Sequence, residues 1–209
     1  MQTTTDTTTA PAISERDQIL NLLETFIRSR PGLEFANYGD VSAYRSESRA
    51  ITKDRDQALT LLRYVQWTSI DADALRAAFR SAYSGRLSLE TDAKGRLRLH
   101  YTAGQYYPTE YRRAACAVLA SAIWAYWRDN LGEPEAWQVC EWGARHMDGH
   151  PTKDRAIAEQ RLTESGGRVY GHVVELHANA RGDWLPAGDY LRAKARAEFG
   201  RTIARRWFN

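Results

Sequence analysis

The side chains with the most chemistry to offer are the histidines and cysteines. His146 and His150 are four apart in "HMDGH", with Cys140 upstream and His172 and His177 downstream. A zinc site needs such N and S ligands converging from rigid elements. Gly149 and Pro151 flank the second histidine and work against a continuous helix, so the pair need not face one way. The expectation is surface or hydrogen-bonded histidines, with no metal and no cofactor. Carboxylates offer a second chemistry, a metal-dependent nuclease or other metal enzyme. Glu34, Asp40, Glu47, Asp54 and Asp56 fall close together around Lys53. Such enzymes hang their acids on a sheet, whereas this stretch has helical spacing, and a solvated helix face is the simpler reading. The nucleophile elbow GxSxG is absent, as are the phosphate loops GxxxxGK[ST] and GxGxxG. No catalytic residue is assigned.

Two kinds of binding surface are left. Two loops, "EFANYGDVSAYR" (34–45) and "TAGQYYPTEYRR" (102–113), set Tyr and Arg beside Gly at a helix start. Tyr and Arg are enriched at binding hot spots, which makes Phe35, Tyr38, Tyr44, Arg45, Tyr106, Tyr107 and Arg112 candidate partner contacts. The alternative is that the tyrosines pack helix ends and bond through their hydroxyls. The second surface is the C-terminus. Net charge is +3, yet residues 190–209 carry six basic side chains against Glu198, so the rest of the chain is slightly acidic. Arg192 and Arg196 share one helix face, and Arg201 and Arg205 another. Guanidinium forks suit phosphates and carboxylates alike. A solvated basic face, with Trp207 and Phe208 tucked into a core, is the competing reading.

These residues must be held by elements the sequence implies. Ser14 caps a helix over 15–29 whose apolar residues Ile19, Leu22, Leu23, Phe26 and Ile27 recur at helical spacing. A helix, or two with a kink, follows over 41–67, and a short one over 71–82. Residues 85–102 alternate polar and apolar on two arms around "DAKG", a β-hairpin that needs a helical surface to lie on. A helix apolar almost all round runs from Thr109 to about Asn130 and is expected at the centre. Over 134–147 and 152–165 helices are expected. At 168–180 β-branched content favours a strand, while Val169, Val173, Leu176 and Ala180 follow helical spacing; the helix is preferred. Gly200 should separate two short helices at the end. The fold expected is mainly helical α+β, a single domain of six to eight helices over 14–209 with one two-stranded hairpin on a central buried helix. Residues 134–182 would form an inserted helical subdomain, and the Thr-rich stretch 1–13 a disordered tail.

The 209 residues, 43% hydrophobic and 26% charged, have the balance of an ordinary globular protein. The longest apolar run, 114–127, is shorter than the roughly 20 residues a membrane span needs. Two cysteines, one inside that run, suit a reducing, cytoplasmic compartment. The start lacks the basic and apolar regions of a secretory signal.

The blocks "RPGLEFANYGDVSAYRSESRAITKDRDQALTLLRYV", "SGRLSLETDAKGRLRLHYTAGQYYPTEYRRAACAVLASAIW" and "FGRTIARRWFN" together resemble a group of uncharacterised proteins carried on conjugative plasmids, integrative elements and phages of proteobacteria. The resemblance covers 14–130 and 183–209. It implies a setting and no catalytic residue: accessory proteins of such elements often act against host defences, as anti-CRISPR and anti-restriction proteins do, by binding a nucleoprotein complex. The expected partner is therefore a host defence complex such as a CRISPR effector, with nucleic acid contact through the C-terminal basic helices. A direct DNA- or RNA-binding factor for plasmid maintenance or transfer is the alternative.

Overall fold

The computed structural model describes residues 13–29, 41–82, 86–102, 110–141, 147–164 and 171–209. The chain divides into two compact units, Met1–Ala122 and Ile123–Asn209. It is a mainly helical α+β protein, with six helices and two antiparallel sheets among the described residues. No helix among those residues is long and apolar enough to cross a membrane.

The first unit is built from three helices and a hairpin. Helix α1 (Glu15–Arg28) starts where Ser14 Oγ accepts from the Asp17 N–H, and it buries Ile19, Leu20, Leu23, Phe26 and Ile27. Helix α2 (Val41–Trp67) is continuous over 27 residues and buries Ala58, Leu61, Leu62 and Val65. Helix α3 (Ala72–Ser81) is capped by the Asp71 carboxylate on the Ala74 N–H and turns Leu75, Ala78 and Phe79 inward. The hairpin pairs β1 (Leu87–Thr91) with β2 (Leu97–Tyr101), Leu87 opposite Tyr101 and Thr91 opposite Leu97. It packs on α1 and α3, with the Phe26 and Tyr101 rings 5.9 Å apart.

The hairpin turn shows why "DAKG" forms it. The Asp92 carboxylate accepts from the backbone N–H groups of Lys94 and Arg96, each at 2.9 Å. Gly95 takes φ +75°, the left-handed conformation that closes a three-residue hairpin loop.

Helix α4 (Glu110–Asp129) begins in the first unit and ends in the second. Ala114, Ala115, Cys116, Val118, Leu119, Ala120, Ala122 and Ile123 are all buried, so it is covered almost all round, as its sequence implies. The two arginines of its first turn reach different neighbours. Arg112 is 5% exposed and donates to the carbonyls of Ile27 and Ser29, each at 2.9 Å. Arg113 donates to Asp54 Oδ2 at 3.1 Å. Asp54, read from sequence as part of a solvated face, is instead 1% exposed; its i, i+4 neighbour Ala58 is buried on the same stripe. The Cys116 thiol, free and buried, donates to the Asp54 carbonyl at 3.6 Å.

The second unit departs from expectation. Where helices are predicted at 134–147 and 168–180, the chain forms the strands β3 (Ala136–Glu141) and β5 (Gly171–Ala178); with β4 (Met147–Thr152), where no strand is expected, and β6 (Trp184–Pro186) they make one sheet in the order β4-β3-β5-β6. The single hairpin of the sequence reading is thus one of two sheets, and the described residues of 134–182 form three strands around one helix, Arg155–Glu164, which falls where a helix is expected over 152–165. The reason is position in the sheet. Strands β3 and β5 are each paired on both edges with segments that lie mostly far along the chain, a pairing that no local spacing announces. Strand β4 lies at an edge, the place in a sheet where a proline such as Pro151 is tolerated. Helix α5 (Arg155–Glu164) packs on β3 and β5, and α6 (Ala187–Trp207) on β5 and β6.

Two outcomes follow for the first unit. Arg112→Ala removes two charged donors from buried carbonyls at the end of α1, and is expected to lower unfolding free energy by about 2–3 kcal/mol; urea titration measures it, and Arg112→Lys should restore little because one ammonium cannot fork. The Asp92 carboxyl is held below its ordinary value of 3.8 chiefly by the Arg96 N–H, against partial desolvation, with the Lys94 N–H and the Arg96 and Arg98 guanidiniums adding. A lowered folded value stabilises above the unfolded value and is lost as pH falls through the folded one. Asp92→Asn keeps an acceptor but no charge, so its stability deficit relative to the parent should be present at pH 5 and vanish toward about pH 2 in urea titrations.

Candidate functional site

Helix α6 carries the basic pole, and its shape comes from one residue. Gly200 has φ +75° and ψ 164°, a break between two helical segments as its sequence position implies. Before the break Leu191 and Ala195 are buried; after it the buried stripe is Ala204 and Phe208, with Ile203 and Trp207 half-buried. The break changes the face that continues inward. It lets Phe208 stack on Trp127 at 5.5 Å and on Phe199 at 5.4 Å, while Phe199 stacks on Trp127 at 5.9 Å. Three aromatic side chains thereby anchor both segments.

With that stripe inward, the arginines face water. Arg192, Arg196, Arg201 and Arg205 are all exposed. Arg192 pairs with Asp189 at 2.9 Å. Arg196, Arg201 and Arg205 have no acidic partner among the described residues. The remaining positively charged side chains of the helix sit on rings: Lys194 lies 5.2 Å from the centre of Trp127, and Arg206 5.0 Å from that of Trp207.

The first half of α6 also walls a cleft of about 630 Å³ with the β5–β6 turn. Ala180, Leu185, Tyr190, Ala193 and Ala197 give it an apolar lining; Arg181, Lys194 and Arg196 add positive charge, and Asp183 the one carboxylate. The turn repeats the first hairpin's chemistry. Asn179 Oδ1 accepts from the N–H groups of Arg181 (2.8 Å) and Asp183 (3.0 Å), and Gly182 has φ +83°. Asp183 Oδ2 also accepts from Asn179 Nδ2 at 3.0 Å. The Tyr190 ring is placed by buried His177, 5.6 Å away. A smaller hollow in the first unit, about 360 Å³ beside α1, holds one charged side chain, Arg96, which is already bonded to Asp92.

The other sequence candidates fall differently. Phe35, Tyr38, Tyr106 and Tyr107 lie outside the described residues, and of Tyr44 and Arg45 only the helical backbone of α2 is described. Arg112 is enclosed in the first unit with its guanidinium on α1, so it presents no face to a partner. Cys140 and His150 lie on strands whose side chains are not described there, and His146 lies outside the described residues; among the described residues no three His, Cys, Asp or Glu side chains gather as metal ligands. Sequence reasoning missed Arg181 and Tyr190, although "NARGD" repeats the Asx-Ala-basic-Gly order of "DAKGR". It also missed Trp67, 89% exposed at the end of α2.

Comparison with protein-family models, with curated proteins and with solved structures finds no match to this chain.

Gly200 is a direct test of the site's geometry. Its backbone conformation is one that essentially only glycine adopts, at about 1–3 kcal/mol for other residues. No atom lies within 4 Å of where a Cβ would stand, so Gly200→Ala should lower stability by that backbone cost alone, read as a lowered urea midpoint. Trp127 fluorescence should change with it, because the break brings Phe199 and Phe208 onto that ring.

Proposed function

We propose that this chain is a non-catalytic binding protein of a mobile genetic element, a counter-defence inhibitor of anti-CRISPR type. It docks on a host nucleoprotein complex, or on a subunit of one, in a cytoplasmic setting. The observation that carries the reading is the row of exposed arginines on α6, of which Arg196, Arg201 and Arg205 have no acidic partner among the described residues. Guanidiniums held on a rigid helix and left without carboxylates are suited to a surface that supplies phosphates or carboxylates. The mobile-element setting comes from the resemblance, and the buried free thiol of Cys116 is in keeping with a reducing compartment.

A direct DNA- or RNA-binding accessory role rests on the same arginines, and binding to naked nucleic acid separates the two. The inhibitor reading expects capture of a defence nucleoprotein complex from a host that carries CRISPR and restriction systems, with Arg201→Ala/Arg205→Ala weakening capture about tenfold. It also expects only weak affinity at low salt for free DNA or RNA that ends in a 5′-hydroxyl. Recovery of no defence component would contradict it. Tight binding to naked nucleic acid, with a salt slope that falls by about one for each arginine removed, would favour the accessory role instead.

A further inference from the structure

We infer that the cleft between α6 and the β5–β6 turn is a nucleotide site that takes the 5′-phosphate of a mononucleotide or of a strand end. The inference goes beyond the counter-defence reading and stands whether or not the partner is a defence complex.

Charge comes first. Arg181, Lys194 and Arg196 line the cleft with Asp183. Neither arginine has an acidic partner among the described residues, and the Asp183 carboxylate is bonded to Asn179. The surplus is two positive charges. A phosphate monoester carries about −1.5 to −2 at neutral pH, which matches it. The two arginines can fork onto its oxygens, while Lys194 contributes a point charge.

Shape comes second. Tyr190, Ala193, Lys194 and Ala197 recur at i, i+3, i+4 and i+7 along one helix face. The two alanines leave room on that face, and Tyr190 and Leu185 make the lining apolar. About 630 Å³ lies in the range of small-ligand sites. An apolar lining beside a dianion-sized charge surplus suits a flat apolar body with a phosphate at one end. The cleft is also pre-formed. Asn179 fixes the turn that carries Arg181, and the Trp127 ring holds Lys194. Less ordering is then needed on binding.

The test is isothermal titration of the full chain at low salt with AMP, inorganic phosphate, a tetraglutamate peptide, and an oligonucleotide with a 5′-phosphate or a 5′-hydroxyl. AMP should bind. Arg181→Ala and Arg196→Ala should each weaken it about fivefold or more, and Ala193→Leu, which fills the lining without touching charge, should weaken it as well. Arg201→Ala/Arg205→Ala, beyond the cleft, should leave it unchanged. Circular dichroism establishes that each variant is folded. Binding of the phosphorylated but not the hydroxyl oligonucleotide would assign a strand end, and binding of AMP alone a free nucleotide. No binding of AMP would overturn the inference. So would inorganic phosphate or tetraglutamate binding as tightly as AMP, or an equal loss in the Arg201→Ala/Arg205→Ala variant.

Discussion

The first unit depends on arginine guanidiniums that close the open ends of its helices. The last carbonyls of an α-helix have no partner within the helix. At the end of α1 they are met by Arg112, reaching from α4 to Ile27 and Ser29. At the end of α2, Arg16 of α1 does the same, donating to Val65 at 2.8 Å, Thr68 at 2.9 Å and Ile70 at 2.7 Å. Each cap comes from a residue far away in sequence, so each helix end is also a tertiary contact. Arg113 on Asp54 ties α4 to α2 in addition. Apolar burial supplies most of the driving force. The guanidiniums make the arrangement specific, since a shifted helix would strand buried carbonyls without donors.

The second unit uses the same residue type in the opposite way. Its core is closed by aromatic stacking of Trp127, Phe199 and Phe208, which needs no charge. The arginines of α6 are left on the outside. Gly200 makes this arrangement work: it turns the buried stripe so that both helical segments are anchored while Arg196, Arg201 and Arg205 face water. The Asn179 turn adds Arg181 at the mouth of the cleft. Self-repulsion among these charges costs little where solvent and salt screen them. A partner that supplies negative charge would find them already placed.

Much of the first unit was legible in the sequence because its elements are marked locally. Ser14 caps its helix as read, and the Asp92–Gly95 turn places both hairpin arms. The role of Arg112 was not legible, because nothing in "EYRRAAC" distinguishes an arginine that reaches a distant helix end from one in a binding loop. The sheet of the second unit was misread for a related reason. Strands β3 and β5 gain their mutual hydrogen bonds from segments far along the chain, and at Val173 and Leu176 that non-local pairing overrides the helical spacing. The one local mark of a hairpin there, "NARGD", was present and went unused. Of the site, the exposed α6 arginines and the break at Gly200 were readable from spacing. The cleft was not, since Arg181 and Tyr190 meet only when β5, β6 and α6 pack.

The central claim is that α6 and the adjoining turn are the working surface, while Arg16, Arg112 and Arg113 of the first unit serve the fold. Hydrogen exchange on the full chain, alone and in complex with its captured partner, tests this most directly. The account predicts added protection in residues 179–205, with the ends of α1 and α2 unchanged. Protection concentrated on α1–α3, with α6 exchanging as in the free chain, would contradict it.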